Sequence, residues 1–247
     1  MNLESAEAVL SHLKKQTLVI IGAGMAGSKL AHAIATEHGA QYQVVLIGEE
    51  AQMGYNRIML SSLLAQEISE SDMSLIDMPA LTQSGATLIA ADPVVGLTLE
   101  NKQLTLESGL EIHYDKLVFA TGARASRLPI EGIDCSNVTQ FRDWADVELM
   151  SKIPDKSEVC IIGAGLLGLE AAVGMVKRGH RVKVIHRSDF ILNRQLDRKS
   201  ARLLQNTLEK MGICFHLGSA PMALIPEGKS QGQKAEAVQL ASGELIK

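Results

Sequence analysis

The chain has 247 residues, of which 46% are hydrophobic and 21% charged, a globular composition far from that of disordered or collagen-like chains. A formal charge of −4 excludes the basic footprint of a nucleic-acid binder, and 3% aromatic residues are too few for a base-stacking platform. The strongly apolar stretches around Leu18–Gly27 and Val159–Leu169 are interrupted by glycines and fall short of the roughly 20 residues of a bilayer span, so no membrane is expected and the cytoplasm is the default location.

The chain opens with Leu3, Ala6, Leu10 and Leu13 at helical spacing, which predicts a helix over residues 1–14. Acids come early and lysines late there, the reverse of a secretory signal. Thr17 to Gly39 then reads as an apolar strand, an IIGAG turn and an alanine-rich helix, with Gly39 suited to a left-handed C-terminal cap. A β-rich run, QVVLIGEE, follows at 43–50. The same order returns from Glu158 to His180, through IIGAG to Gly179 and on to RVKVIHRS at 181–188. Two βαβ units are therefore predicted.

Each unit carries G-x-G-x-x-G, and each glycine answers a different steric demand. Gly22 and Gly163 permit the tight turn out of the strand, and Gly24 and Gly165 clear the backbone for a pyrophosphate. Gly27 and Gly168 let the helix pack closely. Met25 and Ala26, with Leu166 and Leu167 in the second box, complete a helix N-terminus whose N–H groups face the phosphates. The residue ending the second strand selects the ribose. Glu49 is a carboxylate suited to a diol, whereas His186 and Arg187 put bases in the second unit, where a 2′-phosphate would be welcome. That leans toward NADPH and leaves NADH open.

Between the units, residues 87–122 alternate apolar and polar residues with turns at Asp92-Pro93, Asn101-Lys102 and Ser108-Gly109. A small antiparallel meander is expected, ending in a buried strand over Lys116–Ala120. Thr121-Gly122 then falls at the carboxyl edge of a sheet, where nucleotides lie. The segment 141–150 predicts a helix capped by Asp143, with Trp144 as packing. Cys135, Cys160 and Cys214 have no disulfide or metal spacing, and Cys160 is expected in the core. Seven scattered histidines give no metal pattern either.

The fold expected is α/β: two Rossmann-like, three-layer dinucleotide-binding domains with a small antiparallel meander. The first is placed at 15–122 and the second at 123–247, incomplete at its C-terminal end.

From Lys15 to Lys247 the sequence resembles the FAD- and NAD(P)H-dependent pyridine nucleotide–disulfide oxidoreductase superfamily. Gly54-Tyr55-Asn56-Arg57-Ile58-Met59-Leu60-Ser61-Ser62 is similar to a signature of nitrite reductase large subunits, rubredoxin reductases and ferredoxin reductases, and Asn193-Arg194-Gln195-Leu196-Asp197 is similar to a segment of nitrite reductase flavin modules. The resemblance implies FAD on Gly22, Gly24, Gly27 and Glu49, with Arg57, Leu60 and Ser61 beside the flavin or its phosphates and Ala120, Thr121 and Gly122 turning over it. It implies NAD(P)H on Gly163, Gly165 and Gly168, with Glu170 near the nicotinamide.

Two departures qualify that picture. Residues 53–65 hold no cysteine, so the dithiol relay of the disulfide reductases is missing and electrons would leave the flavin directly. Neither the family's return to the FAD domain, nor an interface domain, nor a nitrite-reducing centre is found. The activity implied is hydride transfer from NADH or NADPH to FAD, then electron transfer to a rubredoxin-like, ferredoxin-like or sirohaem partner. No protein acid or base is needed for the hydride step. A homodimer fits this expectation, and a nucleotide-binding module without turnover is the alternative.

Overall fold

The computed structural model describes residues 15–228 and 233–247, so the helix expected over 1–14 lies outside the described residues. Contacts divide the chain into two compact units. One gathers the described residues up to Arg57 with Met73–Ala123, and the other Ile58–Asp72 with Arg124–Lys247.

In the first unit, β1 (Gln16–Ile21) leads through the glycine turn into α1 (Met25–Glu37) and on to β2 (Tyr42–Ile47). After Arg57 the short helix α2 (Leu60–Leu64) belongs to the second unit; the chain then returns through α3 (Met78–Gln83). Next come β3 (Thr87–Ile89), β4 (Val94–Thr98), β5 (Gln103–Leu106), β6 (Glu111–His113) and β7 (Lys116–Phe119). A parallel sheet runs β3-β2-β1-β7, and β4-β5-β6 form an antiparallel meander. Side chains alternate along a strand, so each strand feeds two cores. Leu18, Ile20, Val44 and Leu46 pack with Ala31 and Ala35 of α1, while Val19, Ile21, Val45 and Ile47 pack with Leu104 and Leu106 of the meander. That double use of one sheet makes the three layers.

The second unit repeats the scheme. α4 (Trp144–Ser151) precedes β8 (Glu158–Ile162), α5 (Leu166–Lys177), β9 (Arg181–His186), α6 (Arg198–Lys210) and β10 (Ile213–Leu217). The strands form a parallel sheet β10-β9-β8. A second antiparallel sheet, β11 (Pro221–Pro226), β12 (Ala235–Leu240) and β13 (Leu245–Ile246), covers one face, burying Leu224, Val238, Leu240 and Ile246 against Ile185. On α2, Leu64 packs so closely on α5 that a Cβ at Gly174 would stand 3.0 Å from its side chain.

Several local expectations change. β3 joins the parallel sheet instead of the meander, because it follows α3 as a βα crossover strand would. β7 is an edge strand, so its Phe119 is 63% exposed where a buried strand was expected. Gly39 is not in the left-handed region; its place is explained by contact, since a Cβ there would fall 2.5 Å from the Ala35 carbonyl oxygen. Gly179 does adopt φ +86. Cys160 is exposed, not in the core, because it lies on edge strand β8. Segment 58–72, placed in the first domain by sequence, packs in the second unit. The sheet β11-β12-β13 was not foreseen.

Asp143 does cap α4. Its side chain accepts from the Asp146 N–H at 3.0 Å while Asp146 reaches back, and Trp144 is buried.

Candidate nucleotide sites

The two glycine turns are built alike. Gly22 N–H donates to the Ile47 carbonyl at 2.8 Å, and Gly163 N–H to the Ile185 carbonyl at 2.8 Å, tying each turn to the end of the neighbouring strand. Both glycines are left-handed, at φ +108 and +115. A Cβ on Gly27 would stand 1.9 Å from the Gly22 oxygen, and one on Gly168 would stand 1.9 Å from the Gly163 oxygen. The third glycine therefore lets the helix sit on its own turn. Gly24 and Gly165 are different: a Cβ on either would meet nothing within 4 Å. Their bare backbone faces open space, the cradle a pyrophosphate needs.

Helix capping points the same way. Asp77, Asp143 and Asp197 each accept from a backbone N–H at the start of α3, α4 and α6. α1 and α5 begin instead at Gly24 and Gly165, with no side-chain cap. Their first N–H groups, at Met25, Ala26, Leu166 and Leu167, keep the partial positive charge of a helix N-terminus directed at an incoming anion.

In the first unit the turn after β7 closes on the glycine turn. Ala120 N–H donates to the Ile21 carbonyl at 2.7 Å, and a Cβ on Gly22 would stand 2.3 Å from the Ala120 oxygen. Thr121 and Gly122 follow, exposed, with Gly122 at φ +67. Glu49 is exposed at the end of β2. Arg57 pairs with Glu50 and stacks on the Tyr55 ring at 5.1 Å, while the Tyr55 hydroxyl donates to Glu50 at 2.6 Å. Glu50 and Tyr55 thus fix the Arg57 guanidinium, a strap that motif reading missed.

Leu60 and Ser61 lie in the second unit. Leu60 is buried at 3% exposure, so its side chain serves packing. Ser61 lines a cleft of about 270 Å³ with Glu170, Leu166, Leu169 and Leu192, rimmed by the Lys177–Glu67 ion pair. The Lys177 bond holds the Glu67 carboxyl below its usual range, with help from Ser62.

His186 occupies the end of β9. Its Nδ1 accepts from the Ala164 N–H at 3.3 Å, which leaves Nε2–H to donate to Asn193 Oδ1 at 3.2 Å. Leu192, at φ +49, donates its N–H to the Ala164 carbonyl at 2.9 Å. The structural role of the Asn193–Asp197 segment is thus visible. Asn193 and the neighbouring Leu192 brace the glycine turn through His186 and Ala164, and Asp197 starts α6. The N–H and hydroxyl of Ser200 hold the Asp197 carboxyl below its usual range. Arg187 is exposed beside them. Among the described residues there is no cluster of metal-ligating groups, and no helix is long and apolar enough to cross a membrane.

The family model for pyridine nucleotide-disulphide oxidoreductases matches residues 16–247. The chain belongs to the pyridine nucleotide-disulphide oxidoreductase family. It is 36% identical over 236 residues to the assimilatory nitrate reductase electron transfer subunit of Bacillus subtilis, covering 95% of this chain and 30% of that protein. It is also 36% identical over 219 residues to the nitrite reductase [NAD(P)H] of the same organism, covering 88% of this chain and 27% of that one. The ferredoxin reductase of the CYP199A2 system from Rhodopseudomonas palustris superposes with a TM-score of 0.82 at 27% identity, covering 94% of this chain and 56% of that one. The chain thus spans less than a third of the first two relatives. As a member of this family it has the oxidoreductase's α/β nucleotide-binding fold.

Proposed function

We propose that the chain is the nucleotide-binding part of an NAD(P)H-dependent flavin oxidoreductase that passes electrons to a separate redox protein or domain. FAD occupies the first unit and NADH or NADPH the second. The reading rests above all on one observation: two glycine turns of matching geometry, each opening a helix that lacks a side-chain cap. It is supported by relatives named as a nitrate reductase electron transfer subunit and as a nitrite reductase [NAD(P)H].

The residues fit these groups. Gly22, Gly24, Met25, Ala26 and Gly27 present backbone to the FAD pyrophosphate, and Glu49 accepts from its ribose hydroxyls. Arg57, oriented by Glu50 and Tyr55, contributes positive charge, and Ala120 to Gly122 cover the turn. Gly163, Gly165, Leu166, Leu167 and Gly168 take the second pyrophosphate. Glu170 accepts from the carboxamide in its cleft, and Ser61 supplies that cleft with a hydroxyl. When bound, the cofactors supply the hydride and electron chemistry, while the protein binds and aligns them. No side chain has to move a proton for that step. With three cysteines and no CxxxxC spacing, electrons leave without a dithiol relay of this chain.

Arg187 makes NADPH the favoured donor, because a guanidinium at the ribose end binds a 2′-phosphate and no carboxylate of His186-Arg187-Ser188 opposes it. The acceptor is a rubredoxin-like, ferredoxin-like or sirohaem-bearing partner.

The purified chain, titrated with FAD and then anaerobically with each nicotinamide, tests this. Saturable FAD binding, with the flavin's visible band bleached by NADPH at lower concentration than by NADH, is expected. A chain that binds NAD(P)H but takes up no FAD overturns the flavoenzyme reading and leaves a nucleotide-binding module.

A further inference from the structure

Alternation along the second unit's parallel sheet puts Cys160, Lys183 and Cys214 in one row, since Lys183 is the register partner of Cys160 on one side and of Cys214 on the other. The two thiols at the ends of that row are in different chemical surroundings. Although Cys160 is exposed as a residue at the sheet edge, the protein packed around its sulfur pushes the thiol up to about 11, with Lys183 pulling the other way, so it stays protonated at neutral pH. Cys214 has a base instead. His216, two residues along the same strand, sets Nε2 at 3.8 Å from its Sγ. The opposite ring nitrogen, Nδ1, lies 4.0 Å from a carboxylate oxygen of Glu244, in the turn between β12 and β13. Thiol, imidazole and carboxylate are therefore neighbours in that order. The thiol is exposed, while His216 is only 24% exposed and Glu244 57%. The nearby Lys183 ammonium is held by Glu158 and by the Lys247 carbonyl.

We propose that Cys214 is a thiol–disulfide exchange site, at which this protein takes up a low-molecular-weight disulfide as a mixed disulfide with His216 acting as the base. In the tautomer that carries its proton on Nδ1, toward Glu244, Nε2 is the nitrogen that accepts the thiol proton. The Cys214 thiolate attacks one sulfur of R–S–S–R. The new bond joins Sγ to that sulfur, the old S–S bond breaks, and the departing R–S⁻ takes the proton from the imidazolium. Cys214 is oxidised by the exchange and the leaving sulfur reduced, with no further electron acceptor. Glu244 stabilises the imidazolium during the step. Exchange requires access and a base, not an enclosed pocket, and an exposed strand position beside His216 meets both demands. Cys214 is the second residue of β10, toward the end of the sheet opposite the glycine turn, so the site does not depend on the nucleotide reading.

The test is the rate of adduct formation with oxidised glutathione on the folded chain, followed by intact mass and peptide mapping across pH. The parent protein, Cys160→Ser and Cys135→Ser are expected to take one glutathionyl group on Cys214, and Cys214→Ser none. His216→Gln should slow the reaction about tenfold or more at neutral pH. It should converge on the parent above about pH 9, where a thiol ionises without help. Glu244→Gln should fall between them, which keeps the test alive should His216→Gln lose its fold by circular dichroism. Modification of Cys135 or Cys160 with Cys214 untouched, or pH profiles of both variants that superpose on the parent's, overturns the proposal.

Discussion

The two glycine turns share their hydrogen bonds, their left-handed first glycine and their forbidden third side chain, and they differ at the end of the second strand. In the first unit that place is Gly48, where a Cβ would already stand 2.9 Å from the Ala23 side chain. In the second it is His186, whose ring reaches over to the Ala164 N–H and is anchored by Asn193. Glu49 follows the glycine and Arg187 the histidine. On the proposed reading one backbone frame serves two ligands, and two consecutive residues at a strand end make the distinction.

The sharpest way to break this comparison is to fill the third glycine of either box. Gly27→Ala and Gly168→Ala each force a Cβ toward a backbone oxygen, and each should cost about 2–4 kcal/mol of stability in chemical denaturation. Each should also abolish binding at its own site, FAD for the first and NAD(P)H for the second. Gly24→Ala and Gly165→Ala should spare stability, because the space is open, yet weaken the corresponding ligand about tenfold or more in isothermal titration. Loss of stability from the second pair equal to that from the first would show that the open cradle has been misread.

Exchanging the strand ends sharpens the comparison. Arg187→Ala should weaken NADPH by about tenfold, the worth of one charge-assisted contact, and leave NADH within about twofold. Asp143→Ala removes a cap outside both sites and should cost about 1 kcal/mol with both affinities unchanged.

The smallest effect concerns pH. His180, 6% exposed at the end of α5 and with its Nδ1 unpaired, has its pKa lowered by lost hydration first and by Arg178 next, while Asp155 raises it. The unfolded chain therefore takes up the proton at a higher pH than the folded one. Stability is full above about pH 6.5 and falls as the pH drops from there through the depressed folded value. His180→Asn should flatten that part of the denaturation profile. A stability that rises on acidification over the same range would contradict the sign.

Both glycine boxes, the strands and helices around them and the cap at Asp143 were legible because each is a local pattern: apolar runs, glycine spacing, an acid before a helix. What stayed hidden depends on neighbours in space. Leu60 lies in a family-like motif, yet nothing in its sequence says that its side chain turns inward. Cys160 sits in an apolar run and is exposed because its strand is at an edge. The β11–β13 sheet is written in short strands with a register shift after Pro221, too irregular for alternation to announce it. The tie from Asn193 through His186 to Ala164 joins residues 22 or more positions apart from the turn they brace, and only the fold brings them together.

The bare helix start at Gly24 has a consequence for how the first ligand arrives. The chain carries a net charge of −4, Glu50 is neutralised by Arg57, and Glu49 is exposed beside the end of β2, so on the proposed reading an anionic dinucleotide meets net repulsion at a distance. Attraction begins only within reach of the first turn of α1, where backbone N–H groups replace the water around the phosphates. Added salt shortens the range of the repulsion to about 8 Å at physiological ionic strength and barely touches the contact itself. Capture by the first unit should thus quicken, not slow, as the solution becomes saltier, the opposite of a site that gathers its ligand with surface lysines.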